Sequence, residues 1–131
     1  MKTFTQRLLF LFLLLVVVAG AAHPRASEVT VRHFGLASSI PADKAEVHAV
    51  EQIRLTFTQE PAEGSLSVRL LNAAGEPVQT SAPVKDSEDA KSFTVKPSSA
   101  PAPGSYTVSW RGMGADGHVV RGDFSFTVMA H

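Results

Sequence analysis

Apolar and polar residues alternate one by one along three stretches of the chain, at positions 53–57, 106–110 and 124–128. A period of two places one set of side chains on each face of a strand, and β-branched and aromatic residues favour that conformation. Shorter stretches of similar composition are Val29–Phe34, Leu66–Leu71 and Ser92–Val95. The pattern therefore predicts strands with one buried and one solvated face.

Segments rich in proline and glycine separate these stretches. About seven short strands in roughly 100 residues, without a helical period after residue 22, fit an all-β, two-sheet antiparallel sandwich of the immunoglobulin-like type. We expect the acidic segment Ala82–Lys91 to be a solvated loop. Large aromatic side chains on the alternating stretches are the expected core: Phe57, Trp110, Phe124 and Phe126.

The first residues have the layout of a secretory signal peptide. Two basic side chains precede the apolar run "LLFLFLLLVVVA" at 8–19, and small residues follow at 20–22. That run is shorter than the roughly 20 apolar residues of a membrane-spanning helix. We therefore predict cleavage after Ala22 or Ala21 and an exported protein, with a retained anchor as the alternative.

Composition narrows the possible functions. Cleavage after residue 22 leaves 109 residues, enough for one domain, with ten basic and twelve acidic side chains. This balance gives no sign of a basic surface for nucleic acid. The absence of cysteine excludes disulfides, thiolate metal sites and thiol catalysis. Any metal must be held by nitrogen, oxygen or thioether sulfur.

The segment "GMGADGH", residues 112–118, contains three glycines in the G-x-G-x-x-G spacing of dinucleotide-binding loops. Such a loop requires a following helix, whereas residues 119–128 alternate as a strand. We therefore reject a nucleotide site. Asp116-Gly117 between two strands instead predicts a hairpin turn, because glycine adopts positive φ without steric cost. The tripeptide "RGD" at 121–123, an adhesion motif elsewhere, is better explained by strand pairing.

Asp116 and His118 also suggest a metal site. On extended backbone, residues i and i+2 project to the same side, about 6–7 Å apart at Cα, so their side chains can converge on one ion. An imidazole with a carboxylate and no thiolate suits Cu(II) or Zn(II), and tetragonal N,O geometry favours copper. Two ligands do not make a site, so on these residues alone the turn and the metal site remain alternatives.

The stretch "SYTVSWRGMGADGHVVRGDFSFTV", residues 105–128, resembles the C-terminal signature of the CopC family of periplasmic copper-binding proteins. Two upstream stretches, "HFGLASSIPADKAEV" and "IRLTFTQEP", are similar to the opening segment and second strand of that family, in the same order. The resemblance implies a Greek-key β-sandwich that binds Cu(II). Carried over to this chain, the implied ligands are His33, Asp116 and His118.

The chain departs from the family pattern at its N-terminus. In the family, the first histidine of the mature protein binds Cu(II) through its imidazole and its free amine, whereas here the predicted mature chain begins at His23, ten residues before His33. That segment can span up to about 33 Å. Three alternatives stay open: a site without the amine, a site that recruits His23, and a degenerate site.

No dedicated Cu(I) site is expected. Some family members carry a methionine-rich loop, whereas the predicted mature chain has only Met113 and Met129. The alternative is that Met113 assists the Cu(II) site from the neighbouring loop. Of the remaining histidines, we expect His48 to be a surface residue and His131 to be frayed.

No catalytic group stands out, since no serine lies in a nucleophile-elbow context. A copper oxygenase is an alternative, but no aromatic platform for a glycan is evident. We predict a signal peptide at 1–22, an extension at 23–32 and a CopC-like domain at 33–131. This domain would be a non-catalytic, monomeric, periplasmic Cu(II) protein that buffers or delivers copper in resistance, homeostasis or uptake. Its partner would be a membrane copper transporter or another periplasmic copper protein. The alternative is a metal-free sandwich that binds a protein partner.

Overall fold

The computed structural model describes Gly20 and residues 33–131. All the strands of the described residues belong to one compact unit within Val31–His131. The predicted signal peptide and extension, with His23, lie outside the described residues except for Gly20. Within the described part of the chain, no helix is long and apolar enough to cross a membrane.

Among the described residues, nine strands rather than the expected seven or so form two sheets, which confirms the predicted all-β sandwich. The four-stranded sheet has the order β1-β3-β7-β6 and the five-stranded sheet the order β2-β9-β8-β4-β5. Neighbouring strands are antiparallel except β2 and β9, which run parallel. The strands are β1 (Leu36–Ile40), β2 (Ala45–Val47), β3 (Ile53–Phe57), β4 (Ser67–Leu71), β5 (Pro77–Val78), β6 (Val84–Lys85), β7 (Ser92–Val95), β8 (Gly104–Met113) and β9 (Val119–Val128).

The alternation in the sequence becomes the alternation of burial in the structure. In β3, every second residue is buried and the residues between them are half-buried. The even-numbered residues of β8 and β9 face the core in the same way from Tyr106 and Phe124 onward. The four predicted core aromatics are all buried. Burial of one face therefore sets the register of these strands.

Two parts of the chain differ from the predictions. The candidate strand Val29–Phe34 lies mostly outside the described residues. Its two described residues, His33 and Phe34, are not in a strand, and the first strand begins at Leu36. The acidic segment Ala82–Lys91 contains the short strand β6, which pairs with β7. Two exposed residues pairing at a sheet edge leave no alternation for a sequence pattern to detect.

Strands β8 and β9 form a hairpin that is paired from Gly104–Val128 to Met113–Val119. Residues 114–118 connect them, and the Gly117 N–H donates to the Gly114 carbonyl at 3.1 Å. Gly117 has a φ of 80°, in the left-handed region that glycine adopts without a Cβ penalty. The predicted hairpin is therefore confirmed, and residues 121–123 lie within β9 as expected.

Candidate metal centre

The hairpin loop brings Asp116 and His118 into direct contact. Asp116 Oδ1 accepts the His118 backbone N–H at 3.0 Å, and Asp116 Oδ2 lies 3.1 Å from His118 Nδ1. The two side chains are 48% and 84% exposed. The imidazole therefore faces solvent, and when Nδ1 donates its proton to the carboxylate the Nε2 lone pair remains free for an ion.

The Asp116 carboxylate is held in its charged form. Its pKa is lowered, first by the hydrogen bond from the His118 backbone N–H and then by the bond to the His118 ring, against a smaller opposing effect of burial. The charge of His33 contributes to the same lowering. An ionised carboxylate is the form that binds a cation. The loop thus presents a carboxylate ready for metal binding at neutral pH.

The residues that follow β3 contact the backbone of this loop. Gln59 Oε1 accepts the Ala115 backbone N–H at 3.4 Å. A Cβ added at Gly114 would lie 3.3 Å from Asp116 Oδ1 and 3.4 Å from Gln59 Nε2. The loop backbone is therefore packed between its own aspartate and the residues that follow β3, which restricts where Asp116 can lie.

The segment that carries His33 is attached to the same strand end through Thr58. Thr58 Oγ1 donates to the His33 carbonyl at 2.8 Å and accepts the Gly35 N–H at 3.1 Å. The Thr58 N–H donates in turn to the Gly35 carbonyl at 2.8 Å. One hydroxyl and one amide thus fix the backbone on both sides of Phe34, and with it the starting point of the exposed His33 side chain.

Phe34 joins this segment to the hairpin. Its ring is buried, stacks on Phe57 with centroids 5.1 Å apart and meets Trp110 edge-on at 6.1 Å. A Cβ added at Gly112 would lie 2.8 Å from the ring, and one at Gly114 would lie 2.8 Å from the Phe34 Cβ. The residue next to His33 therefore lies directly on the backbone that leads into the loop of residues 114–118.

The comparisons with known proteins agree on one family. Residues 36–129 match the model of the CopC domain. The chain belongs to the CopC family. It is 32% identical over 116 residues to copper resistance protein C of Xanthomonas campestris pv. juglandis, covering 85% of this chain and 91% of that protein.

Two solved CopC-family structures share the fold. CopC from Methylosinus trichosporium OB3b is 26% identical, with a TM-score of 0.68, covering 76% of this chain and 96% of that one. PcoC from Escherichia coli, described as a methionine-rich copper resistance protein, is 28% identical with a TM-score of 0.67, covering 74% and 99%. Unlike PcoC, which is described as methionine-rich, the present CopC-family chain contains only three methionines.

Of the three ligands implied by the resemblance to the CopC family, two lie in contact. Asp116 and His118 are in contact, and His33 lies near enough to affect the Asp116 pKa. Within residues 33–131, no three histidine, aspartate or glutamate side chains are already arranged to hold an ion. His23 lies outside the described residues. A site built from these three residues would require the exposed His33 side chain to turn toward the loop.

Other metal-binding residue types lie elsewhere in this CopC-family domain. Met113 is paired with Val119 beside the loop, whereas Met129 follows the far end of β9. Ten residues of strand separate those ends by about 33 Å, so the two thioethers do not share one ion within a molecule. His48 and His131 stack near Met129, with ring centroids 6.3 Å apart.

The supporting residues were missed at the sequence level. Thr58 and Gln59 directly follow the alternating strand β3, and no motif distinguishes them from ordinary loop residues. Their position supplied the available signal: two polar residues at the end of a buried strand face the same edge of the sandwich as the β8–β9 loop. Phe34 ended a short candidate strand and was not predicted as core, whereas the structure buries it outside any strand.

Proposed function

We propose that this CopC-family protein binds one Cu(II) ion as cargo through His33, Asp116 and His118, and that it buffers or delivers copper in the periplasm without catalysing a reaction. The observation that carries the proposal is the contact between an ionised Asp116 and a solvent-facing His118, beside the anchored His33 segment. Two imidazoles and a carboxylate form the nitrogen and oxygen donor set that Cu(II) prefers.

The donor set supports Cu(II) over Cu(I). Soft thioether ligands favour Cu(I), and Met113 is the one methionine of the described chain near the loop. The three proposed ligands are exposed, so copper can enter and leave without unfolding the sandwich. Exposure of the cargo suits transfer to a partner, such as a membrane copper transporter or another periplasmic copper protein.

A fourth donor is proposed to come from the N-terminus of the exported chain. If signal cleavage leaves His23 first, its amine and imidazole lie ten residues from His33, within reach of the loop when that segment extends. Cleavage and export are themselves proposals based on the basic and apolar pattern of residues 1–22. Intact mass of the exported protein gives the cleavage site directly.

The test is a Cu(II) titration of the exported protein, followed by the d–d absorption band and by electron paramagnetic resonance. We expect one tightly bound ion with nitrogen hyperfine structure. His118→Ala should abolish this binding and His33→Ala should weaken it, because each removes an imidazole ligand. His48→Ala is the matched control, since it removes an exposed imidazole from the other end of the sandwich.

The possible results separate the alternatives clearly. Binding that is equally weak in the unchanged protein and in His118→Ala would mean that the Asp116-Gly117 stretch is a turn without a metal function. The metal-free interaction module would then be the better function. If copper is bound and His23→Ala also weakens it, the N-terminal amine and imidazole become part of the site.

A further inference from the structure

Three arginines converge on the solvent face of the five-stranded sheet, away from the proposed copper ligands. Arg69 on β4, Arg111 on β8 and Arg121 on β9 are all exposed. Together with Ser67 and Ser109 they line an open depression of about 270 Å³. This group of three side chains is called the arginine surface below. It plays no part in the core or in the candidate metal centre.

The strand register places two of these charges against each other. Arg111 lies directly opposite Arg121 in the β8–β9 pairing, and its neighbour on the other side is Ser67. Arg69 lies one diagonal step away, opposite Ser109. Like charges in directly opposed positions destabilise a sheet. The Arg111–Arg121 contact therefore lowers the stability of the free protein.

No ion pair among the described residues neutralises this charge, although Glu63 lines an adjacent depression together with Arg111. The ion pairs among residues 33–131 are Arg54–Asp86, Lys85–Glu60 and the Asp116–His118 contact, and none includes the arginine surface. Asp123, the one acidic residue of β4, β8 and β9, lies on the same face two residues from Arg121 but opposite Ser109, and it forms no ion pair with an arginine of the described chain. An unpaired cluster with an internal repulsion is best stabilised by an anionic partner.

We propose that the arginine surface docks an extended acidic segment of a partner protein. Guanidinium groups bind carboxylates with two parallel hydrogen bonds. The arginines occupy two rows that are two residues apart along the strands, about 7 Å, which is also the spacing of alternate side chains on an extended peptide. The depression is open and its arginines are exposed, so it suits an extended chain lying over the sheet along the strands better than a small enclosed anion.

The position of this surface suggests why the partner binds there. The Arg111–Arg121 pair is two register positions from the Met113–Val119 pair that ends the hairpin, about 7 Å along the strands. A segment seated on the arginine surface therefore lies beside the loop with Asp116 and His118. The use of this contact in copper transfer rests on the proposed function, whereas acidic docking itself does not.

The probe is a fluorescent peptide of alternating aspartate and serine, titrated with the exported protein and followed by anisotropy. We expect saturable binding that weakens severalfold as NaCl rises from about 0.02 M to about 0.3 M, because salt screens exposed charges. The double variant Arg111→Ser with Arg121→Ser should weaken peptide binding roughly tenfold, because each exposed ion pair with the peptide contributes about two- to fivefold to the affinity. Lys91→Ser with Lys96→Ser, on the other sheet, removes the same charge and should change binding less than about twofold.

Two further measurements keep the proposal open to refutation if the double variant is poorly folded. Arg121→Ser alone should leave the urea midpoint unchanged or raise it, since it removes a like-charge contact, and should still weaken peptide binding. Arg121→Lys keeps the positive charge without the planar guanidinium group, and it should weaken peptide binding less than Arg121→Ser does. An equal loss in the lysine control pair, or no peptide binding at low salt, would overturn the proposal.

Competing ligands distinguish the remaining sources of negative charge. Inorganic phosphate that binds this surface while the peptide does not would make it a small-anion site and overturn the docking role. Binding to phosphatidylglycerol vesicles without peptide binding would make it a membrane-contact surface and overturn it equally. Cu(II) titration of the arginine variants should match the unchanged protein. If copper is not bound at all but the peptide is, the proposed function fails and the docking surface stands.

Discussion

Substituting Gly112 by alanine tests whether the hairpin and the His33 segment are packed as one unit. Gly112 occupies a core-facing position of β8, after Trp110 in the alternating series, yet it carries no side chain there. The Phe34 ring fills that space, with Cε1 and Cζ both 2.8 Å from where a Cβ would lie. The glycine is therefore required by a close approach of the ring to the backbone.

The size of the effect follows from how little the ring can move. Carbon atoms prefer separations of about 3.5–4.0 Å, so the added Cβ requires a shift of roughly 0.7 Å or more. Phe57 lies against one face of the Phe34 ring, and Trp110 lies against its edge. Overpacking of this kind costs about 1–3 kcal/mol, and each kcal/mol lowers the melting temperature by about 4–8 °C in a domain of this size.

The assay is urea unfolding followed by tryptophan fluorescence, since Trp110 is the one tryptophan of the chain and is 5% exposed. We expect a lower midpoint with an unchanged denaturant dependence, which isolates stability from changes in compactness. Gly35→Ala is the control, because its Cβ would meet no atom within 4 Å. It should change stability by less than about 1 kcal/mol, in the stabilising direction.

A double-mutant cycle identifies the cause. Phe34→Leu removes the two ring carbons that the new methyl group meets, so Gly112→Ala should cost at least about 1 kcal/mol less in that background. If Gly112→Ala is as stable as the unchanged protein, or if its cost is the same with leucine at position 34, the ring contact is not what excludes a side chain. The packing argument for the site would then be refuted.

Two further predictions concern neighbouring hydrogen bonds. Thr58→Val removes the hydroxyl that bonds the His33 carbonyl and the Gly35 N–H. It should lower the free energy of unfolding by about 1–3 kcal/mol and also weaken Cu(II) binding. The control Thr94→Val, at a half-buried position of β7, should leave copper titrations unchanged. The pKa of Asp89 is lowered by the hydrogen bond from buried Ser92 and by the Lys91 N–H, so its contribution to stability is present above the unfolded pKa of about 3.9 and is lost as pH falls through the lower folded value. Asp89→Asn should therefore be less stable than the unchanged protein at pH 7, and the difference between their urea midpoints should narrow with acid; a difference that stays constant down to pH 2 would contradict this assignment.

The long strands were predictable because burial of one face imposes a period of two on the sequence. Strands β2, β5 and β6 have two or three residues each, too few to show a period, and the parallel pairing of β2 with β9 depends on contacts distant in sequence. For the site, Asp116 and His118 are two residues apart and their contact follows from local geometry. The proximity of His33 depends on Thr58 and on the Phe34 packing, which no local pattern encodes.

The three glycines of residues 112–117 are explained by two physical requirements, neither of which involves a nucleotide. Gly112 and Gly114 leave room for Phe34, and Gly117 supplies the positive φ of the turn. Two of the glycines therefore serve the contact between the hairpin and the His33 segment, and the third sets the spacing of Asp116 and His118. Because Phe34 also belongs to the core, a substitution that loosens this end of the sandwich should move a proposed ligand as well. We therefore expect stability and copper affinity to fall together in Phe34 and Gly112 variants, but to change independently in variants of the arginine surface.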